Sequence, residues 1–404
     1  MAFAAKKTRK CRMSDAPIRP LPLIIILMVL DHIAFSGSRI SVTLYAIYQG
    51  KSALTVGTLL ALFALLPALF SVPAGRWIDR IGIVRPMQLG SIGVGVGAIL
   101  PFLWPGMPVL YAACVLSGLA FMLVNLAAYH AVGEFSLPED RAINFSYVAL
   151  GYSTSLFIAP ILSGVSIDSF GHRATFALLA SFTTLPIIVL SFKLVPVPRP
   201  TPSPPRSNTS HVLDLLRDPQ LRRLFIIMAV IAVAWDVFSF AVPVHGTHVG
   251  LSASQIGLVM ASFAAATFVV RLAMPFFVQH IKPWTLLTGA LLIAGVSFFL
   301  LPFAVNVAAM MALMFLLGLG LGSPQPMVLS LLHESAPAGR GAEALGLRTT
   351  LINGSQTVIP LIFGGVGAAL GMMPVFWTMS AALVLGSLYA RHARRLAGAI
   401  DTGG

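Results

Sequence analysis

A succession of long apolar stretches constrains this chain more than any other feature. Stretches of about 20 mostly apolar residues, the length that spans a bilayer as a helix, recur from Leu21 to Tyr389 with only short polar breaks. Strands of a membrane barrel would instead show segments of about ten alternating residues. Only 10% of the residues are charged, against about a quarter in soluble domains. The sequence therefore predicts an all-α integral membrane protein with twelve transmembrane helices.

The placement of the basic residues predicts the orientation of the chain. Its 26 lysines and arginines give a net charge of +13, which by itself would suit a nucleic-acid partner. If the N-terminus is cytoplasmic, however, all of them except Arg39, Lys51 and Arg173 fall at or near cytoplasmic ends and loops, as the positive-inside rule requires. We therefore expect a multi-pass protein of the inner (cytoplasmic) membrane, with both termini in the cytoplasm and no nucleic-acid partner.

One proline-rich segment divides the chain into two halves. Six prolines lie between Pro196 and Pro205, and such a segment forms an extended linker rather than a helix. The predicted organisation is a basic cytoplasmic tail (1–20), a six-helix bundle (21–194), a cytoplasmic linker (195–220), a second six-helix bundle (221–395) and a short tail (396–404).

The two halves also resemble each other in sequence. They align at a constant offset of 200 residues, which matches several glycines and prolines and one acidic and one aromatic position. The matched pairs are Gly50 and Gly250, Gly57 and Gly257, Gly118 and Gly318, Glu134 and Glu334, Pro160 and Pro360, Gly164 and Gly364, Gly171 and Gly371, and Phe176 and Phe376. A parallel repeat of six helices predicts two pseudo-symmetric bundles with a solute path between them.

The loop between spans two and three carries a motif. Gly75 is followed, after three residues, by Asp79, Arg80 and, one residue later, Gly82. Gly75 suits close helix packing and Gly82 a tight turn with positive φ, while the two charged residues suit a helix terminus and a carboxylate partner. The motif resembles the loop signature of the major facilitator superfamily, although Arg85 comes later than that family's basic residues. The resemblance implies alternating access, with this loop as a cytoplasmic gate.

A second motif lies in span five. Gly151 is followed by Pro160 and Gly164 in the segment Ala-Pro-Ile-Leu-Ser-Gly, which resembles the glycine–proline motif of export-type members such as drug–proton antiporters. Small residues let helices approach closely and proline bends a span. Because Pro360 and Gly364 repeat the pattern in the second half, part of the motif is predicted to serve packing.

Four ionisable residues lie within predicted spans, where a charge is costly and usually faces a cavity or a partner. Asp31 lies about ten residues, or roughly 15 Å, into span one, and Asp236 lies at a similar depth in span seven. Since burial disfavours the charged form of a carboxyl group, either carboxylate is a candidate carrier of a coupling proton. His32 could share that proton, and Arg39 could neutralise Asp31 or bind an anionic solute. The alternative for each residue is a structural ion pair or hydrogen bond.

Further polar residues of the predicted spans are weaker candidates for the substrate path, because polar side chains between membrane helices more often join helices than bind ligands. They are Asn125, Tyr129, Trp235, Gln325, Asn353 and Gln356.

Taken with the resemblance, these features predict a monomeric secondary transporter that moves a small organic solute, by proton-coupled efflux. Uptake of an organic anion is the alternative within transport, and a non-transporting receptor or scaffold is a more remote one. We find no catalytic constellation, no metal-ligand pattern and no nucleotide-binding loop, so the expected energy source is a proton gradient and no cofactor.

Overall fold

The computed structural model describes residues 20–136, 141–195, 217–277, 283–324 and 341–401. These residues form twelve α-helices and one 3-10 turn, Leu301–Phe303. The first half contains α1 (Pro20–Tyr48), α2 (Ala53–Ile81), α3 (Val84–Leu103), α4 (Met107–Phe135), α5 (Arg141–Ser181) and α6 (Thr184–Ser191). The second half contains α7 (Pro219–His248), α8 (Ala253–Phe277), α9 (Pro283–Leu300), α10 (Val307–Gly322), α11 (Gly341–Leu370) and α12 (Met372–Asp401).

The described helices agree with the twelve predicted spans. Ten segments are long and apolar enough to cross a membrane, and one of these, Asn144–Ser191, is 48 residues long. That segment holds two spans, because the backbone of Gly171 adopts φ 80° and breaks the helix there. A shorter apolar helix, Val307–Gly322, supplies the remaining span. The protein is thus a multi-pass, all-α membrane protein.

The two halves repeat each other in side-chain contacts as well as in sequence. The ring of Phe176 packs edge to face on Tyr45 in the first half, with centroids 6.2 Å apart. At the equivalent positions of the second half, Phe376 packs edge to face on His245, with centroids 5.5 Å apart. Both phenylalanines are fully buried. The sequence offset of 200 residues therefore corresponds to a structural repeat.

Two pairs of helices join the halves. Helix α2 packs along α11, and α5 packs along α8; we call these contacts the α2–α11 seam and the α5–α8 seam. Helices α1 and α7 also touch between them. We call the end of the bundle that carries loops 49–52 and 249–252 the upper end, and the opposite end the lower end.

Close backbone contact at the upper end distinguishes both seams. A Cβ atom on Gly57 would lie 3.0 Å from the carbonyl carbon of Pro360, and one on Gly257 would lie 3.0 Å from that of Pro160. In each case the carbonyl oxygen would be nearer still. The two seams are therefore built alike, with a glycine of one half against a proline carbonyl of the other.

Three differences from the predicted organisation concern segment ends and coverage. Helix α12 ends at Asp401, six residues beyond the predicted end of its bundle, because a helix satisfies its own backbone hydrogen bonds in water as well as in lipid. Helix α7 begins at Pro219, inside the predicted linker. The basic tail before residue 20 and most of the proline-rich segment (196–216) lie outside the described residues.

Candidate functional site

The first buried carboxylate, Asp31, lies in the middle of α1. Its side chain is fully buried, and Oδ2 accepts a hydrogen bond of 2.6 Å from the hydroxyl of Ser91 on α3. Its Oδ1 has no hydrogen-bond partner among the described residues. Asp31 is therefore held within the first half by a single neutral donor.

The second buried carboxylate, Asp236, lies on α7 and is only 6% exposed. Its Oδ2 accepts a hydrogen bond of 2.9 Å from the hydroxyl of Ser355 on α11. The two carboxylates thus have the same local chemistry, in which an aspartate of the first helix of a half accepts from one serine of another helix in that half.

Arg39 distinguishes the two carboxylates. Its cation interacts electrostatically with Asp236 of the other half, and its guanidinium carbon lies 5.9 Å from the centre of the Phe63 ring. Asp31 shows no such interaction with Arg39. Of the two aspartates, Asp236 is therefore the one that Arg39 interacts with. Eight residues on one helix separate the Cα atoms of Asp31 and Arg39 by about 12 Å along the axis.

His32 points away from Asp31 and into the first half. Its Nδ1 forms a hydrogen bond with the hydroxyl of Ser155 on α5. Its ring lies 4.6 Å from the centre of the Tyr152 ring and 5.1 Å from that of Phe121. Consecutive residues of a helix are about 100° apart around its axis, so the two side chains occupy different surroundings. This geometry does not support direct sharing of a proton between His32 and Asp31.

Two equivalent aromatic pairs flank the contact between α1 and α7. Phe35 meets Phe63 edge to face with centroids 5.5 Å apart, and Trp235 meets Phe263 in the same way at 4.8 Å. Phe63 and Phe263 are buried, while Phe35 and Trp235 are half-buried. The predicted path residue Trp235 thus belongs to a repeated pair, in which a buried ring packs against a partly accessible one.

A polar cluster joins α4, α5 and α8 below this level. The hydroxyl of Tyr152 donates a hydrogen bond of 2.6 Å to Oδ1 of Asn125, and Tyr129 stacks on Tyr152 with centroids 6.4 Å apart. Arg271 of α8 crosses from the other half, and its Nη1 donates to the hydroxyl of Ser153 at 2.6 Å. Asn125 and Tyr129 therefore lie in a cluster that spans the two halves.

Arg271 is a candidate site residue that the sequence reasoning did not select. It also donates a hydrogen bond of 3.3 Å to the carbonyl oxygen of Ala149, and its charge interacts with Tyr129. Its position near the lower end of an apolar helix made it resemble the many basic residues that follow the positive-inside rule. The sequence did contain one signal for Arg271. The equivalent position of the first half is the uncharged Ser71, so the two halves differ in charge at this position.

Three predicted path residues remain, of which two lie on α11 and one lies outside the described residues. Asn353 and Gln356 are half-buried on α11, the helix that also carries Ser355. The carbonyl oxygen of Asn353 accepts from the hydroxyl of Thr357, a contact within the same helix. Gln325 lies outside the described residues.

The two glycines of the loop motif differ in their surroundings. Gly82 ends α2 with φ 81°, in agreement with the predicted turn. A Cβ atom on Gly75 would meet no atom within 4 Å among the described residues, so close helix packing at Gly75 stays a prediction. Arg80 and Arg85 are exposed, and the side chain of Asp79 lies outside the described part.

The predicted packing motif has clear contacts. A Cβ atom on Gly151 would lie 2.6 Å from Cγ2 of Val29 on α1, so Gly151 packs within its own half. Pro160 and Gly164 lie in the α5–α8 seam, and their mates Pro360 and Gly364 lie in the α2–α11 seam. The proline and second glycine of the motif therefore join the halves in both repeats.

Comparison with known proteins identifies the family. Residues 24–360, and 224–399 in a second match, fit the Major Facilitator Superfamily. Multidrug resistance protein 2 of Bacillus subtilis is 28% identical over 207 residues, 49% of this chain, and the chain spans only about half (50%) of that relative's length. A class E tetracycline resistance protein of Escherichia coli is 23% identical over 78% of this chain and 80% of its own length.

A solved structure has the same fold. The inward-facing, occupied form of a bacterial homologue of the human lysosomal transporter Spinster superposes with a TM-score of 0.75 at 15% identity, over 94% of this chain and 98% of the other. The twelve-helix repeat, the two seams and the family match across the chain lead to one conclusion. The chain belongs to the Major Facilitator Superfamily.

Proposed function

We propose that this transporter expels a small organic solute in exchange for protons, by alternating access between its two halves. The observation that carries the proposal is the position of Asp236. Ser355 holds this carboxylate within the second half, and the charge of Arg39 attracts it from the first half. A proton on Asp236 would therefore change the attraction between the halves, which is what coupling requires.

The physical argument concerns charge in a medium of low polarity. Two opposite charges attract far more strongly inside a protein than in water, and neutralising one of them removes that attraction. Protonated Asp236 keeps its hydrogen bond to Ser355, which is internal to one half, but loses its attraction to Arg39. Proton binding thus weakens a contact between the halves and leaves each half intact.

Asp31 is the second proposed proton site. It is buried with one serine donor, like Asp236, but it lies within the first half and has no described cationic partner. Its protonation would change the polarity beside α1 without altering the attraction between the halves. We therefore assign the larger part of the coupling to Asp236.

The relatives support the proposed direction of transport, and the charges support the orientation. The names of the two bacterial relatives describe resistance to drugs and to tetracycline, and export of a compound from the cell would provide such resistance. The described lower end carries Arg76, Arg80, Arg85 and Arg391, whereas the upper end carries Lys51 and Arg173. By the positive-inside rule we place the lower end and both termini in the cytoplasm, in the cytoplasmic membrane, with the upper end outside.

The test uses the purified protein in proteoliposomes with an imposed pH gradient and a panel of radiolabelled amphiphilic compounds. We expect gradient-driven accumulation by the wild type, complete loss in Asp236→Asn and a partial loss in Asp31→Asn. Both variants should retain exchange of solute without a gradient, because asparagine preserves the shape and the hydrogen bond.

Asp218→Asn serves as the matched control. Asp218 is exposed and caps α7 through the N–H of Leu221, and asparagine is an equally good cap, so this variant should transport like the wild type. Undiminished gradient-driven accumulation in Asp236→Asn would refute the proposed coupling.

Uptake of an organic anion is the second candidate, and Arg39 favours it. No carboxylate of the described residues lies within 4 Å of its guanidinium group, which rests over an aromatic ring on the path between the halves. A carboxylate of a solute would complete the hydrogen bonds of that group. Preference for anionic compounds in the panel, lost in Arg39→Gln, would favour this candidate over efflux of an amphiphile.

A further inference from the structure

A carboxylate of one half reaches the start of a helix in the other half. Asp168, near the upper end of α5, accepts hydrogen bonds from the backbone N–H groups of Ala253 at 3.2 Å and of Ser254 at 2.8 Å. Those two N–H groups belong to the first turn of α8. The contact lies at the upper end of the α5–α8 seam and is exposed to solvent.

This contact adds a partner from the other half to the N-terminal cap of α8. The helix already has its own cap, in which the N–H of Ser252 donates to the side chain of Gln255, and the N–H of Gln255 donates to the hydroxyl of Ser252. This reciprocal pair satisfies the N–H groups of Ser252 and Gln255, and Asp168 satisfies two further N–H groups that the pair leaves, those of Ala253 and Ser254. Asp168 adds a negative charge at the positive end of the helix dipole, which is a favourable interaction, and it adds it from the opposite half.

The equivalent contact does not exist in the other seam. The repeat mate of Asp168 is Ala368, which has no polar side chain. Helix α2, the mate of α8, is capped by its own Ser52, whose hydroxyl accepts from the N–H of Thr55. Among the described residues, no side chain of another helix accepts from the N–H groups of Ala53 or Leu54. The backbone packing of the two seams is repeated, whereas the charge is present in one seam only.

From this asymmetry we propose that Asp168 is an electrostatic latch that holds the upper entrance of the transporter closed. Opening at the upper end requires α5 and α8 to separate there, which breaks both hydrogen bonds and removes the charge from the helix terminus. The proposed latch requires that the protein works by alternating access. It does not depend on which solute is transported or on coupling to protons. It makes the α5–α8 seam the harder of the two seams to open.

The test measures the upper entrance directly. The two native cysteines are replaced (Cys11→Ser, Cys114→Ala), and spin labels are attached at Lys51→Cys and Val305→Cys. Both positions are exposed at the upper end, one in each half. Distances between the labels are recorded for the full chain in lipid nanodiscs. We expect Asp168→Asn to raise the ratio of long to short separations by about twofold to fivefold, the range for loss of an exposed charge at a helix N-terminus.

Two further variants separate the latch from local loosening. Gln255→Ala weakens the cap within α8 and leaves Asp168 in place, so it should not change the distance distribution. The double variant Asp168→Asn with Ala368→Asp moves the carboxylate to the start of α2 in the other seam. It should restore the short separations.

Three results would overturn the latch. They are an unchanged distribution in Asp168→Asn, an equal shift in Gln255→Ala, and a double variant as open as the single one. Because these measurements need no solute and no gradient, the latch and the proposed proton coupling can fail independently of each other.

Discussion

The close contact at Gly57 leads to a prediction about the stability of the α2–α11 seam. In Gly57→Ala, the new Cβ atom would lie 3.0 Å from the carbonyl carbon of Pro360 and 3.2 Å from the Cα atom of Gly364. Ordinary van der Waals contact begins at 3.4 Å. Since these atoms belong to the backbone of α11, no side-chain rotation relieves the overlap, and the two helices must move apart.

The magnitude follows from two opposing effects. Overpacking of a well-packed contact costs about 1–3 kcal/mol, whereas alanine in place of glycine stabilises a helix by roughly 0.5–1 kcal/mol. Because the overlap is with backbone atoms, we take the upper part of the overpacking range, about 2–3 kcal/mol, and subtracting about 1 kcal/mol for the alanine leaves an expected net loss of about 1–2 kcal/mol. For a domain the size of one half, this corresponds to a fall of roughly 2–8 °C in the unfolding midpoint, unless the upper end opens and relieves the overlap.

Two measurements on the Gly57→Ala variant therefore test this prediction. Thermal unfolding in detergent, followed by tryptophan fluorescence, gives the midpoint, and spin-label distances at the upper end report opening. The control is Gly289→Ala on α9, where a Cβ atom would meet nothing within 4 Å among the described residues, so the midpoint should stay or rise slightly. A Gly57→Ala protein with the midpoint and the distances of the wild type would refute the argument from close contact.

Three further predictions concern single contacts. Arg271→Met should reduce the transport rate in proteoliposomes at least about tenfold, because methionine donates neither of the two hydrogen bonds that Nη1 of Arg271 makes to α5; a rate equal to the wild type would contradict a role for this cation. Gly82→Ala should lower the free energy of unfolding by about 1–3 kcal/mol, because its φ of 81° is one that alanine rarely adopts, whereas Gly75→Ala should leave thermal stability unchanged. Arg173→Met should cost about 1–3 kcal/mol in the same assay, because it removes two hydrogen bonds to the carbonyl oxygen of Phe102; an unchanged midpoint would show that this contact is not stabilising.

Much of the fold could be predicted because a bilayer permits few solutions. A spanning segment must satisfy its backbone hydrogen bonds internally, so apolar length alone located the helices. The repeat offset then related Pro160 to Pro360 and Gly164 to Gly364, and the structure places both pairs in seams. Apolar length could not locate the end of α12, because a helix that leaves the membrane loses its apolar character and keeps its hydrogen bonds.

The site could be predicted only in part, because hydropathy gives depth and not partners. It placed Asp31 and Asp236 within the membrane, but Ser91 and Ser355 carry no signal that distinguishes them from other serines. It offered Arg39 either the carboxylate of its own helix or an anionic solute as a partner, and it could not indicate the attraction to Asp236, some 200 residues later in the chain. Asp168 was missed because a carboxylate at the end of a span resembles an ordinary surface residue.

The glycine–carbonyl contacts of the seams have a consequence for how such a transporter evolves. At Gly57 and Gly257 the surfaces that meet are main chain, which every substitution elsewhere leaves chemically unchanged. Side chains proposed to line the path, such as Trp235 or Tyr129, can therefore be replaced without altering the fit that closes the upper end. Point mutations can thus change which solute is bound, while the backbone contacts that close the upper end are retained.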